Sequence, residues 1–130
     1  MSLTHATSAK AAATDAVTAL LGTNAKLCFQ AGGTVGSPGT AICTLLLDSG
    51  ANGGFSTGGA TATAGTISDD TNTGSGTVST FSLKTSANAA IIFGAVSTSG
   101  SDINITSGGL TFSNGDTCQC SSLTYTALTA

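Results

Sequence analysis

The sequence predicts an all-β protein, a β-sandwich of jelly-roll-like type with one short N-terminal α-helix. Three observations predict it. Aliphatic residues are clustered in short runs such as "AICTLLL" and "NAAIIFGAV", bounded by Gly, Ser and Asn, as strands are bounded by turns. Within these runs apolar residues alternate with period two, the signature of a pleated strand with one face buried. Turn signals recur about every ten residues, the spacing found in sandwiches and barrels.

The chain has 130 residues, enough for one domain with a core. Its expected organisation is an N-terminal arm and short helix over 1–24, followed by the β-sandwich over 25–130. The helix is "SAKAAATDAVTALLGTN", in which Ala9, Ala13, Ala16, Val17 and Leu20 share a face at helical spacing, while Lys10, Thr14 and Thr18 share another. Thr7 or Ser8 is the expected N-cap, and Gly22 stands where a left-handed residue ends a helix. A face of alanines stabilises little alone, so the helix is expected to lie on a sheet or on a neighbouring subunit.

From Ala25 onward the pattern is that of strands. "AKLCFQ" points Leu27 and Phe29 one way and Cys28 the other. "AICTLLL" sets Ala41, Cys43, Leu45 and Leu47 against Ile42, Thr44 and Leu46. "GTVSTFSLK" joins Phe81 with Leu83, and "AAIIFGAV" sets Ile91 and Phe93 opposite Ile92 and Val96. "SDINIT" pairs Ile103 with Ile105, and "GLTFS" pairs Leu110 with Phe112. "SNGD", at Ser113 to Asp116, predicts a hairpin turn of type I′. The glycine-rich stretches "QAGGTVGSPGT" and "SGANGGFSTGG" are expected to form an extended arm or interface loop. Phe55, isolated among glycines, either folds back on the core or fills a partner's pocket.

Charge narrows the function. Charged residues are 7 % of the chain, against about 25 % in an average soluble domain. They are Lys10, Lys26 and Lys84 with Asp15, Asp48, Asp69, Asp70, Asp102 and Asp116, for a net charge of −3. Three cations make no basic stripe, so no nucleic-acid partner is expected. No apolar run approaches the roughly 20 residues of a membrane span, and "MSLTHATSAK" lacks the basic and apolar regions of a signal peptide. A surface with little charge repulsion is expected to be covered in an assembly.

The chemistry-bearing residues are few. Cys118 and Cys120 lie two apart and project to one face of a strand, a spacing that does not suit the C-x₂₋₄-C knuckle of a zinc site. A Cys28–Cys43 bond is geometrically conceivable if their strands are neighbours. The simpler reading is four free, mostly buried thiols standing where Val or Ala would serve. If Cys118, Cys120, Leu123 and Tyr125 all face the core, a β-bulge near Ser121-Ser122 is required. His5, the one imidazole, lies in the terminal stretch ahead of the helix, where a solvated side chain and not a catalytic base is expected. Asp69-Asp70 is the one acidic pair and lacks the further carboxylates of a calcium loop. No catalytic residue, metal ligand or cofactor site is expected.

The order of "AKLCFQAG", "GTAICTLLLDSGANGGF", "TISDDTNTGSGTVSTFSL", "DINITSG" and "NGDTCQCSSLTYT" resembles a family of small tailed-phage structural proteins that includes capsid decoration, or cement, proteins. Cys118 and Cys120 stand where relatives carry Val. The resemblance implies a jelly-roll or β-sandwich fold and a virion role. The protein would assemble in the host cytoplasm, bind the outer capsid where major capsid protein subunits meet, and form a homo-dimer or trimer. Leu3, His5, Ala9, Val17 and Phe55 are the candidate interface residues. The alternatives are a tail or fibre component of the same fold, and a carbohydrate- or ice-binding β-protein suggested by "TATAGT".

Overall fold

The computed structural model describes residues 4–106 and 108–127. These residues are mostly β-sheet with one short helix. Helix α1 (Thr7–Leu21) precedes β1 (Lys26–Thr34), β2 (Ser37–Leu46), a 3-10 turn (Asn52–Gly54), β3 (Thr61–Thr63), β4 (Gly76–Lys84), β5 (Ala90–Ser97), β6 (Ile103–Asn104), β7 (Thr111–Phe112) and β8 (Thr124–Thr126). The main sheet has the order β2-β1-β4-β5-β6, with β7 joined to the start of β4; β3 and β8 form a separate two-stranded sheet. The pairings are antiparallel except β5 with β6, which run parallel.

The period-two readings of β1 and β4 are observed, and that of β5 in part. Leu27 and Phe29 of β1 pair across with Leu45 and Cys43 of β2 and with Leu83 and Phe81 of β4, and all six are buried in one cluster. Ile92 and Val96 of β5 pack with that cluster, whereas Phe93 faces the other way and is exposed; Ile91, expected beside Phe93, packs against the core as well, because the pairing with β4 shifts register there. Ala62 of β3, Leu123, Cys118 and Leu21 of α1 close the same core, so the helix shares its packing with the strands.

β2 departs from strict alternation. Cys43, Leu45 and Leu47 are buried and Thr44 and Leu46 exposed, as the pattern requires, but Ile42 is buried and Ala41 exposed. The cause is a register shift between Phe29 and Gln30 of β1, where Phe29 faces Cys43 and Gln30 faces Ala41. One extra residue at the bulge turns Ile42 inward and reverses the parity beyond it.

The helix turns a different face inward than its alanines predict. Ala11, Thr14, Thr18 and Leu21 are buried, while Ala9, Ala13, Ala16 and Leu20 are exposed and Val17 is half-buried. Hydrogen bonding decides this. Thr14 Oγ1 donates to Ala60 O at 2.7 Å and accepts from Ala127 N at 3.2 Å, and Thr18 Oγ1 accepts from Asn52 Nδ2 at 3.2 Å. A buried threonine with its hydroxyl satisfied costs little and answers backbone groups that alanine would leave unpaired. The helix starts at Thr7 behind Ala6, with no side-chain cap from Thr7 or Ser8. Gly22 does end it, with φ +66 and its N–H bonded to Ala19 O.

"QAGGTVGSPGT" forms an arm rather than a loop. β1 and β2 run on as an exposed two-stranded ribbon whose ends, Thr34 and Ser37, are joined by Val35-Gly36, with Gly36 at φ +87. In the second glycine-rich stretch Phe55 folds back on the core, 4 % exposed, and bridges to Ala64. The expected type I′ hairpin at "SNGD" is not observed. Asp116 N does close the turn onto Ser113 O at 3.0 Å, but Gly115 alone of the central pair has positive φ. Its partner is the 70–74 segment: Thr73 N donates to Asp116 O and Gly115 N to Thr73 O. Cys118 likewise pairs with Asp70, and the backbone at Ser121-Ser122 is irregular rather than a bulged strand.

Candidate interaction surface

Of the five candidate interface residues, Ala9 is exposed on the outer side of α1 and Val17 is half-buried on its flank. Ala9, Ala12, Ala13, Ala16, Ala19 and Leu20 are exposed there, Leu20 by 62 %. His5 is exposed just ahead of the helix, and Leu3 lies outside the described residues. Phe55 is a core residue and not an interface anchor: its ring is buried with Leu21, Leu47 and Ala62, where the nearby glycines let the chain turn inward. Gly53 shows why no side chain fits there, since a Cβ would stand 2.9 Å from Leu21 Cδ1 and its φ is +63.

A second surface is the face of the main sheet turned away from the core. Register places Leu46, Lys26 and Lys84 in one row, Thr44, Cys28, Ser82 and Phe93 in the next, and Ala41, Gln30, Thr80 and Ala95 in a third. Leu46 is 51 % and Phe93 38 % exposed, and Thr44 and Ala41 are exposed as well. The central side chains Cys28, Ser82, Gln30 and Thr80 are buried. Gln30 Nε2 donates to Ser82 Oγ at 2.7 Å, leaving Gln30 Oε1 and Thr80 Oγ1 buried with no hydrogen-bond partner. Sequence reading missed this face. Alternation alone turns Lys26 and Lys84 away from the core, but only strand pairing reveals them as direct neighbours.

The aspartates serve as local acceptors. Asp70 Oδ2 takes Thr44 N on the outer edge of β2 at 2.8 Å, and Asp102 Oδ2 takes Ala95 N on the edge of β5 at 3.0 Å. Both occupy edge groups that would otherwise invite another strand. Asp69 binds Gln119 Nε2 at 3.1 Å, so the acidic pair diverges instead of converging on one point.

All four cysteines are free thiols. Cys28 and Cys43 lie on opposite faces: Cys28 sits 4.0 Å from Thr44 Oγ1, while Cys43 is in the core opposite Phe29. A Cys28–Cys43 bond is therefore ruled out by register. Cys43 neighbours Cys118, and its thiol is pushed up by hydrogen bonding to Cys118, by burial and by the nearby Asp70 charge. Burial raises Cys120 as well. Raised thiols are protonated at neutral pH and poor nucleophiles. No group of three or more His, Cys, Asp or Glu side chains converges among the described residues.

A cavity of about 760 Å³ lies beside Cys118, between the 102–112 and 116–124 segments. Its floor includes Phe29, Phe112 and Leu123, and its two carboxylates, Asp102 and Asp116, are already engaged with Ala95 N and Ser113 N. No helix among the described residues is long and apolar enough to cross a membrane. Neither a protein-family model, nor a curated protein, nor a solved structure matches the chain.

Proposed function

We propose that the chain is a bacteriophage virion structural protein, a decoration or cement protein of the outer capsid. In this reading it has no catalytic activity, and its fold is a β-sandwich of jelly-roll-like type. The main sheet is one layer; the β3–β8 pair and the irregular C-terminal segments are the other. The observation that carries the reading is exposed surface without charge: the alanine face of α1 and the β1–β2 arm with Val35 at its tip. Such surfaces suit contacts made from backbone hydrogen bonds and small apolar side chains, as in a shell of repeated subunits. The outer face of α1 is the contact for a second copy, giving a dimer or trimer, and the remainder meets the major capsid protein.

The mechanism is mass action. A protein that binds the assembled lattice and not its separated subunits stabilises the lattice by RT ln(1 + [L]/Kd), about 2.7 kcal/mol at a concentration a hundred times Kd. Cryo-electron microscopy of the virion tests the reading. Density at subunit junctions on the outer shell is the expected result. Density confined to the tail would move the protein to the tail or fibre class, and absence from the particle would refute both and favour a carbohydrate- or ice-binding role.

A further inference from the structure

Two of the three lysines of this chain stand side by side. Lys26 and Lys84 are direct cross-strand partners on β1 and β4, both half-buried and both turned away from the core. Like charges directly opposite on a sheet repel. Lys26 Nζ donates to the neutral Asn88 Oδ1 at 2.9 Å, and no carboxylate pairs with either ammonium among the described residues. The six aspartates do not relieve them. None lies in β1, β2, β4 or β5, and each is occupied by a backbone N–H or, for Asp69, by Gln119.

We propose that this face of the main sheet, with Lys26 and Lys84 at its charged end and Leu46 and Phe93 at its sides, docks on an apolar patch of the capsid shell that carries a carboxylate. Charge complementarity selects the partner. One carboxylate set between the two ammonium groups is attracted by both and removes their repulsion, while Leu46 and Phe93 bury against apolar neighbours. A second copy of this chain is the wrong occupant. Laid face to face across a twofold axis, in either orientation, its matching face supplies no carboxylate, because none of β1, β2, β4 and β5 carries one.

The open part of this face is its rim and its charged end: Leu46, Thr44 and Ala41 on the β2 side, Phe93 on the β5 side and the two half-buried lysines, with Cys28, Gln30, Thr80 and Ser82 buried between them. That is less than the roughly 800 Å² each partner contributes to a standard stable interface and suits one contact among many on a lattice.

The proposal rests on the capsid reading, and one experiment separates the two. Purified protein is added to virions produced without it, and free and attached protein are acetylated with a lysine-reactive ester and compared by mass spectrometry. The chain has three lysines, so the footprint is complete. The expected result is that Lys26 and Lys84 lose most of their reactivity on attachment while Lys10, on α1, is unchanged. Attachment with Lys26 and Lys84 still fully reactive overturns the docking proposal and leaves the capsid reading standing. Failure to attach at all refutes both. A Lys26→Gln/Lys84→Gln variant, shown to be folded by its unchanged circular dichroism, is expected to attach about tenfold more weakly, because both attractions to the partner's carboxylate are lost. Attachment equal to wild type would also overturn the proposal.

Discussion

Gly94 is the position where the packing of this sheet is most directly open to test. It faces Phe81 across the β4–β5 pair, and the Phe81 ring lies over it. A Cβ at position 94 would stand 2.5 Å from Phe81 Cζ, closer still to Cε1, and 3.1 Å from Asp102 Oδ2. An ordinary carbon–carbon contact is about 3.5–4.0 Å, so the ring would have to move by about 1 Å or more. Phe81 is 6 % exposed and packed in the core, which resists that movement. Overpacking of this kind costs about 1–3 kcal/mol. The opposing term is the loss of unfolded-chain entropy on replacing glycine, worth about 0.4–1 kcal/mol. Clash exceeds entropy, so Gly94→Ala is expected to destabilise by about 1–2 kcal/mol. For a domain of this size that lowers Tm by roughly 4–8 °C. Urea unfolding should show a lower midpoint with an unchanged m-value. In a Phe81→Leu background the ring is gone, and the same substitution is expected to be neutral or slightly stabilising. A Gly94→Ala protein as stable as wild type, or equal effects in both backgrounds, would refute the reasoning.

Further outcomes are expected from single side chains. Phe55→Ala should cost about 3–5 kcal/mol in chemical denaturation, since the ring is a buried core residue; a surface anchor would cost far less. Thr14→Val keeps the shape but leaves Ala60 O and Ala127 N without their partner, so a loss of about 1–3 kcal/mol is expected, whereas Ala13→Ser on the exposed side should change stability by less than about 0.5 kcal/mol. Lys84→Glu replaces a repulsive cross-strand pair with an attractive one and should raise the stability of the isolated protein by about 0.5–1 kcal/mol, read as a higher midpoint in low salt that shrinks in high salt. Alkylation of the native protein at pH 8 should reach the half-buried Cys120 first and leave Cys43 unmodified. Burial and hydrogen bonding hold the Cys43 thiol protonated, so raising the pH toward the ordinary thiol range should not activate it while the fold persists.

Much of the sheet was legible because alternation is local. The opposed faces of Leu27 and Cys28, of Leu83 and Lys84, and of Ile92 and Phe93 follow from the pleat alone, whatever the strands pair with. Gly22 ends its helix for a similarly local reason, its positive φ. Other readings failed where a distant partner set the answer. Ile42 and Ala41 exchange sides because a bulge in pairing with β1 shifts the register, and no property of "AICTLLL" announces it. The helix buries Thr14 because backbone groups at Ala60 and Ala127 need its hydroxyl, and Thr18 because its hydroxyl takes the side-chain amide of Asn52. Hydrophobic spacing counts threonine as polar and cannot see that its partner is buried with it. "SNGD" lacks the type I′ form because the 70–74 segment, not its own flanking strands, is what it pairs with.

The sequence by itself determined that this chain is β-rich with one helix near its start, that its cysteines stand in apolar positions, and that its charge is sparse, three lysines against six aspartates. Composition and side-chain period are local properties, and they survive any arrangement of the strands. Tertiary structure alone decided which residues are neighbours. It sent Phe55 inward, placed Cys28 and Cys43 on opposite faces, and set Lys26 against Lys84 fifty-eight positions later in the chain. Each of these depends on register between strands far apart in sequence. Register is fixed by the summed packing of the whole sheet, with a one-residue slip reversing every side chain at once.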